Sequence, residues 1–219
     1  MNSRDFRRIA AGRVVSFFPG RRTTGIRAPP AFDIFLDFFD NPLQQQTLRD
    51  PMITTDSARM LARYNAWADR LVFDAVAALP DGEATKERKS LFRNMVHTLN
   101  HNYVIDRIWQ AHLEGREHGF EARNTQDHPP LAELWRAQQE VDRWYVDWSD
   151  ALSDAALDEK VGFTLIGGNR GVMTRGEILL HVVNHTTYHR GFVADLFYQV
   201  PARPPTTDLP VFLRERGQA

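Results

Sequence analysis

Leu180-His181-Val182-Val183-Asn184-His185-Thr186-Thr187-Tyr188-His189-Arg190-Gly191 sets three histidines four residues apart, in a run whose apolar residues recur at helical spacing. At about 100° per residue a four-residue step rotates only about 40°, so His181, His185 and His189 climb one helix face. Ile178, Phe192 and Leu196 share that face, which marks it as the buried one. Imidazoles at i and i+4 can aim ring nitrogens at one ion with little loss of freedom, as a transition metal requires.

The sequence on either side supplies the rest of the fold. Thr174-Arg175-Gly176-Glu177 fits a capping box at the start of this helix, which is expected to run to about Gln199 and stop before Pro201. Just upstream, residues 161–173 change period and carry Gly167-Gly168-Asn169-Arg170, the pattern of a small β-hairpin with a Gly-rich turn. Three further amphipathic helices are expected over 56–79, 86–115 and 131–152. The first is opened by Thr54, Thr55 and Asp56 as candidate caps and closed by Pro80-Asp81-Gly82. The second places Phe92, Met95, Val96, Leu99, Ile105, Ile108 and Trp109 at core spacing. The tail, Asp208-Leu209-Pro210-Val211-Phe212-Leu213, reads as an extended segment packed on the body. The expected class is all-α: an up-down four-helix bundle with a short β-hairpin before the last helix.

Composition narrows the partners. The chain has 219 residues, 42% of them apolar, and a formal charge of -1, enough for one domain with a proper core. Basic residues form no ribbon, so nucleic acid is not an expected partner. No apolar run approaches the roughly 20 residues that span a bilayer, so no membrane partner is expected either. The chain has no cysteine, which removes disulfides and thiolate ligands and leaves nitrogen and oxygen to hold any metal. A cytoplasmic protein fits these features. Residues 1–51 stand apart, with Arg4, Arg7, Arg8, Arg13, Arg21, Arg22 and Arg27 against Asp5 before Pro30. They superficially resemble a transit peptide. The plainer reading is a disordered extension, or upstream sequence preceding a true start at Met52. The folded metal-binding domain is then 52–219.

A mononuclear site needs a third ligand, and the second helix carries His97, His101 and His112 in one angular sector. His101 lies near mid-helix, where facing helices come closest. His101, His185 and His189 would place three imidazoles on one side of an ion and leave other positions open, the layout of a reactive site. Spacing leaves open whether His181 joins them. A lone histidine on an apolar face is more often a hydrogen-bonded core residue; several converging in one core need a shared partner, because unpaired imidazoles are costly to bury. Smaller expectations attach to neighbours. Asp106, about 140° round the helix from His101, reads as a salt-bridge partner of Arg107 or Arg190. Tyr188 reads as core packing, with pocket lining as the alternative. Asn184 is a candidate to orient His185 from behind. Trp67, Trp109 and Trp144 read as bundle filling, and the Gly167-Arg170 turn lacks the ending of a phosphate loop.

Thr98-Leu99-Asn100-His101 with Asp106-Arg107-Ile108-Trp109, and later Asn184 through Gly191, resemble the two signature segments of the DinB family (the DinB/YfiT-like metalloenzyme group). Tyr64-Asn65-Ala66-Trp67-Ala68 and the closing Asp208-Leu209-Pro210 are similar to that family too, so the resemblance runs from Met52 to the C-terminus. It implies a four-helix bundle, frequently a homodimer, with a divalent metal (zinc, nickel or iron) held by His101, His185 and His189. It also implies chemistry of the thiol-dependent transferase or isomerase kind, using a low-molecular-weight thiol such as bacillithiol or mycothiol. Two functions follow as expectations. One is a metal-dependent enzyme that activates a thiol cosubstrate or water toward a small-molecule substrate. The alternative is a non-catalytic metal-binding or stress-associated dimeric bundle. A metal-free bundle with water-linked histidines is the third.

Overall fold

The structure, a computed structural model, describes residues 53–217. The expectations for residues 1–51 lie outside them.

Four long helices form the bundle: α1 (Thr55–Ala77), α2 (Met95–Leu113), α3 (Leu131–Ala151) and α5 (Arg175–Phe197). A single turn, α4 (Asp154–Leu157), and a hairpin of β1 (Lys160–Thr164) and β2 (Arg170–Thr174) precede α5; α6 (Leu209–Arg216) follows it. Both α1 and α2 pack against α3 and against α5, so α1 and α2 lie diagonally across the bundle. No helix among the described residues is long and apolar enough to cross a membrane.

Local chemistry sets the boundaries. Thr54 caps α1 by accepting from the Ser57 N–H. At α5 the capping box is complete: the Thr174 hydroxyl accepts from the Glu177 N–H at 3.1 Å, and the Glu177 carboxylate accepts from the Thr174 N–H at 2.6 Å. Thr174→Ala is expected to cost about 1 kcal/mol, readable as a lowered urea midpoint with an unchanged m-value. The hairpin pairs Lys160 with Thr174 through Thr164 with Arg170. Its turn uses Gly167 and Gly168 at φ 106° and 92°, where a side chain would be strained. Phe163 lies directly across from Gly171, where an added Cβ would meet its ring at 2.4 Å. That ring docks edge-on against Trp109 at 5.0 Å and so ties the hairpin to α2.

Two expectations are corrected. The second helix begins at Met95, not at 86. Asn94 is its cap, accepting from the His97 N–H at 2.7 Å, and Arg93 before it adopts φ 66°. Residues 86–94 instead wrap around Arg88, whose guanidinium bonds the Glu83 carboxylate and the Glu83 and Lys86 carbonyls. Phe92 is buried as its spacing suggested, but from a loop. The tail is not extended: Leu209–Arg216 is helical, with Pro210 in the first turn, where its missing N–H costs nothing. Phe212 packs on Tyr64 and Trp67, and the Trp67 Nε1–H donates to Glu215.

The apolar core falls into two clusters, and the break occurs at the same level on every bundle helix. On α1 it lies between Ala68 and Val72, on α2 between Leu99 and Val104, on α3 between Leu134 and Val141, and on α5 between Val183 and Val193. The buried residues filling that gap are polar: Asp69, Asn100, His101, Asn102, Gln138, Thr186, His189 and Arg190. Burying such groups is costly unless they find partners, so this layer is where the fold has committed stability to something other than packing.

Candidate metal centre

One side of the polar layer is a group of three imidazoles. His101 comes from α2, and His185 and His189 come from successive turns of the adjacent α5. Ring centroids lie 5.0 Å apart for His101–His185, 4.6 Å for His101–His189 and 4.4 Å for His185–His189. One ring nitrogen from each lies within 4.8 Å of the others.

The closest pair stands at ligand spacing. His101 Nε2 and His185 Nε2 are 3.2 Å apart. Two nitrogens bound tetrahedrally to one ion at about 2.1 Å would stand roughly 3.4 Å apart. His101 Nδ1 lies 3.0 Å from the Arg123 carbonyl, which can only accept, so Nδ1 carries the proton and Nε2 turns its lone pair into the group. A carbonyl behind a ligating imidazole is the usual outer partner that fixes tautomer and orientation. Nδ1 of His185 and Nδ1 of His189 are buried without a partner. The residues therefore fit a divalent metal: three converging neutral imidazoles at ligand spacing, one of them already oriented from behind.

Electrostatics keep the rings neutral. Burial pushes His101 down to about 4, although its bond to the Arg123 carbonyl works the other way. Burial, reinforced by His101, brings His189 down to about 3. His185 falls well below the ordinary histidine range, through burial first and then its histidine neighbours. At neutral pH all three lone pairs are available, as metal ligation requires. The donor set is all nitrogen, which suits zinc, copper, iron or nickel and not magnesium or calcium.

The neighbours sort differently from the sequence expectations. His181 lies next to the group, 5.7 Å from His185 between centroids, but its ring packs edge-on against Trp109 at 4.9 Å, and it is not one of the three converging residues. His97 instead donates from Nε2 to the Thr125 carbonyl at 2.7 Å, and His112 packs on Trp109 and His118. Tyr188 is not core packing: it is 57% exposed and meets the His189 and Phe192 rings edge-on. Asn184 is exposed, on the opposite side of α5 from the buried layer, and does not support His185. Trp109 is buried as expected, while Trp67 and Trp144 are half-buried at the edges of the core.

Asp106 forms no pair with Arg107 or Arg190. Its carboxylate accepts from Gln138 Nε2 at 3.0 Å and from the Thr186 hydroxyl at 3.4 Å. Arg190 instead bonds Asp69 at 2.9 Å and Asn65 at 2.8 Å, both across to α1. Two residues of the site escaped sequence reasoning. Phe92 stacks on His101 at 4.5 Å and meets His189 edge-on at 5.2 Å, walling off one side. Arg123 supplies the carbonyl behind His101, and a backbone acceptor leaves no trace in side-chain identity.

Comparison with known proteins places the chain in a family and shows a likeness of fold. The profile of the DinB family matches residues 52–218. The chain is 27% identical over 175 residues to "Protein DinB" of Bacillus subtilis (strain 168), covering 73% of this chain and 95% of that protein. Among solved structures it is similar to a DinB-like protein from Bacillus cereus ATCC 10987. The TM-score is 0.50 at 15% identity, covering 67% of this chain and 94% of that one, a likeness of fold.

Proposed function

Since the chain belongs to the DinB family, with three neutral imidazoles meeting in its buried polar layer, we propose that it is a metal-dependent enzyme that activates a small thiol for transfer to an electrophile. The 3.2 Å approach of His101 Nε2 to His185 Nε2, with His101 held from behind, carries this reading. A divalent ion bound there would supply Lewis acidity, lowering the pKa of a thiol or of water to give an anionic nucleophile near pH 7. The protein's own part is to bind, orient and exclude. His101, His185 and His189 would hold the ion from the core side. Phe92 and the buried α2–α5 seam keep water from that side. Three neutral ligands leave the full charge of the ion uncompensated, which favours an anion in the open position. With no cysteine in the chain, a thiolate must come from a cosubstrate.

Purified protein is expected to carry about one divalent transition metal per chain by elemental analysis. His185→Ala and His189→Ala should bring the content to background while circular dichroism stays helical. Metal at background in the unaltered chain, even after reconstitution, would remove the proposal. Turnover of small electrophiles with added thiols, with and without metal, then separates an enzyme from a non-catalytic metal-binding bundle.

A further inference from the structure

The polar layer brings a second trio of metal-ligating side chains together, and its donors are all oxygen. Asp69 from α1, Asp106 from α2 and Asp142 from α3 each set a carboxylate oxygen within 4.8 Å of the others, and all three are buried. Neighbouring positions of α5 serve the two groups. His185 and His189 belong to the first, while Thr186 and Arg190, each one position on, bond Asp106 and Asp69 of the second.

Charge counting leaves this group incomplete. Arg190 answers Asp69 at 2.9 Å, and neither Asp106 nor Asp142 has an ion pair among the described residues. Two buried carboxylates are strongly unfavourable unless positive charge joins them, and one dication balances the pair. The hydrogen bonding is incomplete as well. Gln138, 1% exposed, gives its Nε2 to Asp106 at 3.0 Å and to Asp142 at 2.8 Å, while its own Oε1 is buried without a partner. Asp142 Oδ2 is also buried and unpartnered. The Thr186 hydroxyl has one proton, which the Val182 carbonyl draws at 2.8 Å, so it meets Asp106 only weakly at 3.4 Å. Because an amide is nearly symmetric in shape, turning that of Gln138 over sets an oxygen where its nitrogen now bridges the two carboxylates. Two oxygens at right angles on a magnesium ion, each about 2.1 Å away, stand roughly 3.0 Å apart. The bridge already has that spacing.

We infer that Asp106, Asp142 and Gln138 form a second cation site, inside the bundle, that takes a hard divalent ion, magnesium or calcium. Oxygen donors alone select such ions, whereas imidazoles select transition metals, so the two groups of the layer do not compete for one metal. Asp69 stays with Arg190 and borders the site. The inference is independent of the thiol reading of the histidines.

The test is metal analysis of the full chain, stripped with chelator, given one equivalent of zinc and dialysed against magnesium or, separately, calcium. A desalting column then removes ions held by exposed acidic groups, whereas a buried site keeps its own. About one magnesium or one calcium per chain is expected beside the zinc. The variant carrying Asp106→Asn and Asp142→Asn should fall to background in both ions, with zinc content and circular dichroism as in the parent. Asp142→Asn alone should lose the ion likewise. Background magnesium and calcium in the unaltered chain, or an ion that persists in either variant, overturns the inference, and protons then neutralise the carboxyls. The zinc of the three-histidine group is counted separately, so the two sites stand or fall apart.

Discussion

Arg190→Met is expected to lower the unfolding free energy by about 3–5 kcal/mol, because it leaves a buried carboxylate without its cation. Arg190 and Asp69 both have side chains 2% exposed and lie 2.9 Å apart, tying α5 to α1 across the bundle centre. Burial pushes the Asp69 carboxyl up, and the guanidinium pulls it back. Without the guanidinium only the upward push remains. Asn65 and Thr187 lose a donor as well, since both accept from Arg190. Domains of this size hold about 5–15 kcal/mol in all, so the loss is about a fifth or more. Adding Asp69→Leu should return most of it, as an apolar pair removes the stranded charge, although the hydrogen bonds of Asn65 stay lost. Urea unfolding of the two variants checks this. A single variant within about 1 kcal/mol of the parent would mean that the pair is solvated. The same helix carries His185 and His189, so the variant should also weaken metal retention.

The second large effect is a loss of stability as pH rises. Asp106 and Asp142 are buried on facing helices and share the Gln138 amide, at 3.0 and 2.8 Å. Arg190 is committed to Asp69, and neither carboxylate has an ion pair among the described residues. Burial first, and then the Asp69 charge, raises both carboxyls well above the ordinary range. Tyr145, whose hydroxyl donates to the Asp106 carbonyl, is likewise raised by burial and by Asp106. The sign follows from proton counting. Below the unfolded carboxyl value of about 3.9 both states hold the protons, and no penalty exists. Above it the unfolded chain releases protons that the folded chain keeps. Stability therefore falls with rising pH, by up to about 1.36 kcal/mol per unit for each group, until the folded values are passed. The buried histidines act in the opposite sense. With folded values near 3 to 4 for His189, His101 and His181, they destabilise the metal-free protein as pH falls below about 6.5. Above that point only the carboxyl slope is left. The variant carrying Asp106→Asn and Asp142→Asn, measured with chelator present, should gain on the parent with each step up in pH. Parallel stability curves for the two proteins would show the carboxyls to be ionised already.

How much of this could be read beforehand depends on the interaction. The four bundle helices, the hairpin and the capping box were legible because each rests on periodicity or on contacts three residues apart. The histidines were legible for the same reason, since i and i+4 spacing on a buried face survives any arrangement of the helices. The misreadings share a cause. Phe92 is apolar and in phase with the second helix, yet its burial comes from a loop wrapped around Arg88. Pro210 lies in a segment that reads as extended, although proline is at home in a first helical turn. Spacing offers Arg190 to Asp106, but its carboxylate lies on α1, 121 positions away in the chain.

The amino-acid order alone determined the helices, their apolar faces and the ladder of imidazoles, since these depend on backbone geometry repeated every few residues. Tertiary packing decided which histidine on α2 meets the pair on α5, which aspartate takes the buried arginine, and that both groups share one polar layer. Those choices belong to contacts between segments far apart in the chain, where the cost of leaving a charge or a ring nitrogen unpaired is settled only once the helices have closed around it.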